Sequence, residues 1–103
     1  MTRLAVGLVH RPAGTPAVDR NWARALVVRH ARDRGLRLLD ILELDDDAAR
    51  TAHVLRRVAN LAASAGAHTL VTEGVDIGVA GRAAQDLGLA HEAVPPSVRA
   101  AEL

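Results

Sequence analysis

Arg3-Leu-Ala-Val-Gly-Leu-Val-His-Arg-Pro-Ala-Gly14 is the stretch on which the reading of this chain turns. Leu4 to Val9 is an almost unbroken apolar run, and it closes in the turn-forming Arg11-Pro12-Ala13-Gly14. The run is too short for a globular helix. It reads as a strand buried on both faces, as at the centre of a parallel sheet. Its carboxyl end delivers His10 and Arg11 into a loop ahead of the first helix. Open α/β sheets bind ligands at that edge, so any site is expected near His10.

Outward from this strand, one pattern repeats three times: helix, glycine, apolar strand. It stands at Arg34-Gly35-Leu36, Ala65-Gly66-Ala67 and Leu87-Gly88-Leu89. The periodicity predicts helices over 17–34, 48–65 and 79–87, and strands over 36–44, 67–72 and 89–94. The resulting βαβαβαβ alternation predicts an α/β fold: a four-stranded parallel sheet in a three-layer αβα arrangement. The expected strand order is 2-1-3-4, with the switch point between strands one and three. His10, Arg11, Thr72, Glu73 and Asp76 are expected to gather there as ligand-binding residues. Leu4, Val6, Val9, Leu39, Ile41, Leu70 and Val71 are the expected core of those strands. In the second helix the expected core stripe is Ala52, Leu55, Val58/Ala59 and Ala62, flanked by Val54 and Leu61. Pro95-Pro96 ends regular structure, which makes 1–96 a single domain and 97–103 a tail.

With 103 residues there is material for one small core. There is no Phe, no Tyr and a single Trp22, so modules that stack bases on aromatic rings are disfavoured. A net charge of +1 gives no global field for DNA, and nucleic acid is not an expected partner. Every basic residue other than histidine is Arg, a composition that points to a GC-rich bacterial genome. Cysteine is absent, which removes disulfides and thiolate metal sites. No apolar run has the length of a membrane span, and the chain reads as a soluble cytoplasmic protein.

The chemistry available is narrow. No Gly-x-Gly-x-x-Gly follows the first strand and no P-loop is present, so no cofactor is expected. Asp45-Asp46-Asp47 reads as the capped, acidic entry of a helix and not as a metal site. Arg50, His53, Arg57, Asn60 and Ser64 share one face of the second helix, either as an ordinary solvated surface or as a phosphate-contacting one. His10 with Glu73 or Asp76 has the makings of an acid–base pair. Arg11 has those of an anion clamp. Neither Ser64 nor Ser97 lies at a strand end, as a serine nucleophile would. The first helix is apolar nearly all round from Trp22 to Val28, broken only by Arg24. Trp22 reads as core or, with Leu26, as an interface.

Taken as a pattern over residues 3–94, the chain resembles the catalytic domain of the serine recombinases, the resolvase and invertase family. Val6-Gly-Leu-Val-His10 sits where that family's first motif would be. Leu42-Glu43-Leu44-Asp45 resembles its acidic loop, and Leu70-Val-Thr-Glu-Gly-Val-Asp76 its last motif. The departures fall on the chemistry: His10 stands in the place of the nucleophilic Ser, Leu8 in that of the first catalytic Arg, and Ile77 in that of the Arg after the acid. The resemblance therefore implies a recombinase-like fold with the recombinase activity lost, a pseudoenzyme. The expectation is a non-catalytic binding or assembly module, forming a homo-oligomer. The alternatives are a small-anion or phosphate-ligand-binding protein using the loops after strands one and three, and a cryptic hydrolase or transferase using His10.

Overall fold

A computed structural model describes residues 2–95; Pro96 and the expected tail at 97–103 lie outside the described residues. Seven elements alternate along the described residues: β1 (Arg3–His10), α1 (Ala17–Asp33), β2 (Leu36–Leu44), α2 (Ala48–Ala65), β3 (Thr69–Glu73), α3 (Ile77–Asp86) and β4 (Ala90–Ala93). The strands form one parallel sheet in the order β2-β1-β3-β4. One face packs on α1, and the other on α2 and α3. This is the expected three-layer arrangement.

β1 is hydrogen-bonded on both sides, and its interior is closed to solvent from Ala5 to Val9. Side chains alternate between the two faces. Ala5 and Val9 join Ala23, Leu26 and Val27 of α1, while Val6 and Leu8 join Val58 of α2 and Ala84 of α3. Gly7 is small for a reason: a Cβ there would stand 2.8 Å from Cγ1 of Val27 and 3.1 Å from Cγ1 of Ile41. Its hydrogen lets α1 settle directly onto the sheet.

The repeated glycines do what their spacing predicts. Gly35, Gly66 and Gly88 all have positive φ, and Gly66 ends α2 in the left-handed conformation that side chains resist. Asp47 caps α2 by accepting the Arg50 amide, and Asp76 caps α3 by accepting the Val79 amide. That second cap starts α3 at Ile77, two residues ahead of the expected boundary. α1 opens at Pro16 with no side-chain cap, and the Thr15 hydroxyl donates backward to the Pro12 carbonyl instead. β3 begins at Thr69 and runs to Glu73, later than the expected 67–72. β4 is shorter than expected at both ends.

Packing departs from the expected core in three places. Leu4, Leu39 and Ile41 are only half-buried. β2 is an edge strand, and Leu39 is an extra residue in it: Ala5 pairs with Leu38, but Val6 pairs with Asp40. This bulge shifts the alternation, so that Leu36, Leu38 and Ile41 all meet the α1 side and Leu42 and Leu44 the other. Asp40 Oδ1 accepts the Ile41 amide at 2.8 Å. In α2 the packed stripe is Val54, Val58, Leu61 and Ala62. Ala52 is exposed and Leu55 half-buried, because the packed face is rotated toward Val54 and Leu61, the residues expected at its flank. Leu26, expected at an interface, is core.

These positions separate in their stability cost. Leu70 is fully buried in the centre of the sheet, so Leu70→Ala should cost about 2–5 kcal/mol in urea unfolding. Ile41→Ala, at the half-open edge, should cost clearly less. Equal losses at the two positions would contradict the edge placement of β2.

Candidate functional site

The carboxyl edge of the sheet is built by the loops that follow β1, β2 and β3. Consecutive residues leave an extended strand in opposite directions, and this divides His10 from Arg11. His10 Nε2 lies 2.9 Å from Asp46 Oδ1 in the loop after β2. Arg11 turns the other way, toward β3, where its Nη2 donates to Glu73 Oε2 at 2.5 Å. Its Nη1 donates to the His10 carbonyl. Both side chains of the Arg11–Glu73 pair are withdrawn from solvent, 7 % and 6 % exposed.

The pair lies against Gly74, whose φ is +75°; a Cβ on Gly74 would stand 2.8 Å from Arg11 Nη1. The crevice between β1 and β3 is therefore closed by a guanidinium packed onto backbone. Arg11 Nε is buried without a hydrogen-bond partner among the described residues.

Of the five residues expected to gather at the switch point, only Arg11 and Glu73 meet. His10 is spent on Asp46. Thr72 is buried on the other face of β3, with its hydroxyl 2.8 Å from His91 Nε2 of β4. Asp76 is the cap of α3. The expected clamp on an anion is thus neutralised from within, since the carboxylate beside Arg11 is its partner.

The three consecutive aspartates also have separate duties. Asp45 accepts the Asp47 amide and the Arg50 guanidinium, Asp46 meets His10, and Asp47 caps α2. The Asp47 amide, reinforced by Arg50, holds the Asp45 carboxyl below the usual carboxylate range. Among the described residues no three His, Asp or Glu side chains are placed to hold a metal ion. No helix among the described residues is long and apolar enough to cross a membrane.

The open space at this edge lies over β1 and β2. A cavity of about 330 Å³ runs between the loop after β1 and the start of α2. Leu44 and Val54 line it on the apolar side, and Arg20, Arg50 and His53 on the polar side. Arg20 Nε donates to Glu43 Oε1 at 2.9 Å and Arg50 Nη1 to Asp45 Oδ2 at 2.8 Å. Arg20 was not singled out in the sequence. The signal available was an Arg in the first turn of each helix that follows β1 or β2. No family model, curated protein or solved structure matches the chain.

At the far side of the sheet β4 is held by the end of α1. His30 Nε2 and Arg34 Nε reach Glu92 Oε1 at 2.9 and 3.1 Å. Burial alone would raise the Glu92 carboxyl, but the hydrogen bonds from His30 and Arg34 outweigh it and hold it below its ordinary value. Trp22 is half-buried against the α1-side core, with its indole N–H unpaired among the described residues.

Two outcomes follow for stability. Glu73→Gln leaves a buried guanidinium without its counter-charge and should cost about 3–5 kcal/mol. Replacing both partners, Arg11→Met with Glu73→Leu, should recover most of that loss. A single variant as stable as wild type by urea unfolding would show that the pair is not buried in solution. Burial also pushes His91 below the ordinary histidine value of 6.5. The unfolded chain then takes up this proton first, so the contribution of neutral His91 is full above about pH 6.5 and falls as the pH drops below it. Between pH 7 and pH 5 wild type should lose more stability than His91→Gln. Parallel curves for the two proteins would remove His91 as the cause.

Proposed function

We propose that the protein is a non-catalytic assembly module, a serine-recombinase-like domain in outline that functions as a homodimer. The observation that carries this reading is the buried Arg11–Glu73 pair. It fills the crevice at the switch point, where an α/β enzyme takes its substrate. The candidate reactive groups around it are committed elsewhere. His10 is paired with Asp46, and the Ser64 hydroxyl donates to the Asn60 carbonyl along α2. The two hydroxyls that do stand beside a base, Thr72 with His91 and Thr69 with His68, are buried, so acyl or phosphoryl transfer through a covalent intermediate has no accessible nucleophile of this kind among the described residues.

What supports assembly is the outer face of α1. Among the described residues this helix alone covers one side of a four-stranded sheet, and it carries apolar residues outward as well as inward. Val18, Ala25 and Val28 lie on the solvent side, in the same stripe as Arg32. Asp19 stands in the first turn and Arg32 in the last. Two copies packed antiparallel along α1 would set Val18 of one against the aliphatic stem of Arg32 of the other, around a small residue, Ala25, at the centre. The opposed helix dipoles would add to the attraction.

The expected interface at Trp22 and Leu26 thus moves outward by about a quarter turn of the helix. Sedimentation equilibrium should show a mass above the 10.9 kDa of one chain, rising with concentration. Val28→Glu should return the protein to monomer, and neither form should nick or bind covalently to supercoiled plasmid. A single 10.9 kDa species at high concentration, or a covalent DNA adduct, would overturn the proposal.

A further inference from the structure

The cavity over β1 and β2 has chemistry of its own, independent of the α1 face. Its two carboxylates are used up. Glu43 accepts from Arg20 through Nε and Nη2, and Asp45 accepts from the Asp47 amide and from Arg50. Both acids are drawn into the wall, 29 % and 17 % exposed, whereas the arginines that meet them are 51 % and 75 % exposed.

What remains for a visitor is therefore a set of donors. Arg20 Nη1 and Arg50 Nε and Nη2 have no hydrogen-bond partner among the described residues. His53, one turn beyond Arg50 on α2, brings an imidazole to the same cavity. Each carboxylate keeps its arginine from swinging free, so less conformational entropy is lost when a ligand arrives.

We propose that this cavity binds a small organic phosphate. The phosphate group would sit among Arg20, Arg50 and His53, and the organic body would lie on Leu44, Val54 and Pro12. Guanidinium forks match phosphate oxygens bidentately. Two forks and an imidazole offer more donors than the two oxygens of a carboxylate can use. A volume of about 330 Å³ falls at the small end of ligand sites, with room for more than the bare ion. The two carboxylates weigh against any anion through Coulomb repulsion, and this limits affinity without changing which groups face the cavity.

Amide NMR titration of the intact chain with phenyl phosphate, inorganic phosphate and benzoate tests the assignment. Saturable shifts centred on Gly14, Thr15, Arg50 and His53 are expected, with phenyl phosphate binding more tightly than the other two. Arg50→Gln and Arg20→Gln should each weaken phenyl phosphate about tenfold, the loss expected for one charge-assisted hydrogen bond. Both side chains are exposed enough that the folded amide spectrum should persist. The monomeric Val28→Glu protein should bind as wild type does, which separates this site from the dimer. Shifts that fail to saturate, that follow the exposed Arg56 on α2, that match in benzoate, or that survive both arginine substitutions would overturn the proposal.

Discussion

A guanidinium and a carboxylate buried together at the ends of β1 and β3 set the terms for the carboxyl edge of this sheet. Neither could be left in the interior alone, because removing a charge from water costs several kcal/mol unless a partner and hydrogen bonds replace the solvent. Arg11 meets both demands through Glu73 and the His10 carbonyl. The arrangement also needs Gly74, since the guanidinium occupies the volume where any side chain would begin. Arg11, Glu73 and Gly74 are thereby tied together, and the loop after β3 has little freedom to present anything else.

With that corner closed, the polar groups of the edge sort themselves by strand geometry. His10 and Arg11 are adjacent in sequence but leave β1 in opposite directions. The acids after β2 divide among capping, pairing with His10 and pairing with Arg50. The remaining open volume lies over the β1–β2 side, where the first turns of α1 and α2 each contribute an arginine.

Much of the fold was legible because it depends on signals that are local in sequence. Apolar runs of strand length, glycines at helix ends and acidic caps such as Asp47 each act within a few residues. Together they carry the alternation and the strand order. The bulge at Leu39 was not legible, since it exists only in the pairing of β2 with β1. The α2 stripe was misjudged because the packed face is rotated from Ala52 and Leu55 toward Val54 and Leu61, the larger side chains expected only at its flank, which gain more by burial than alanine. At the carboxyl edge the sequence places Arg11, Glu73 and Asp76 near one another but does not say which acid takes the arginine. Its neutralisation by a residue 62 positions away is a long-range fact.

The extra residue in β2 also bears on how this protein behaves when crowded. β2 is the longest strand of the sheet and rich in leucine, and it lies at an open edge. A straight strand of that composition is a template on which further strands can grow into fibrils. At Leu39 the ladder is out of step, and the Ile41 amide beside it is already occupied by the Asp40 carboxylate. An incoming strand would find its register broken midway and one donor missing. The bulge that moves Ile41 toward α1 thus also guards the chain against polymerising through its own edge.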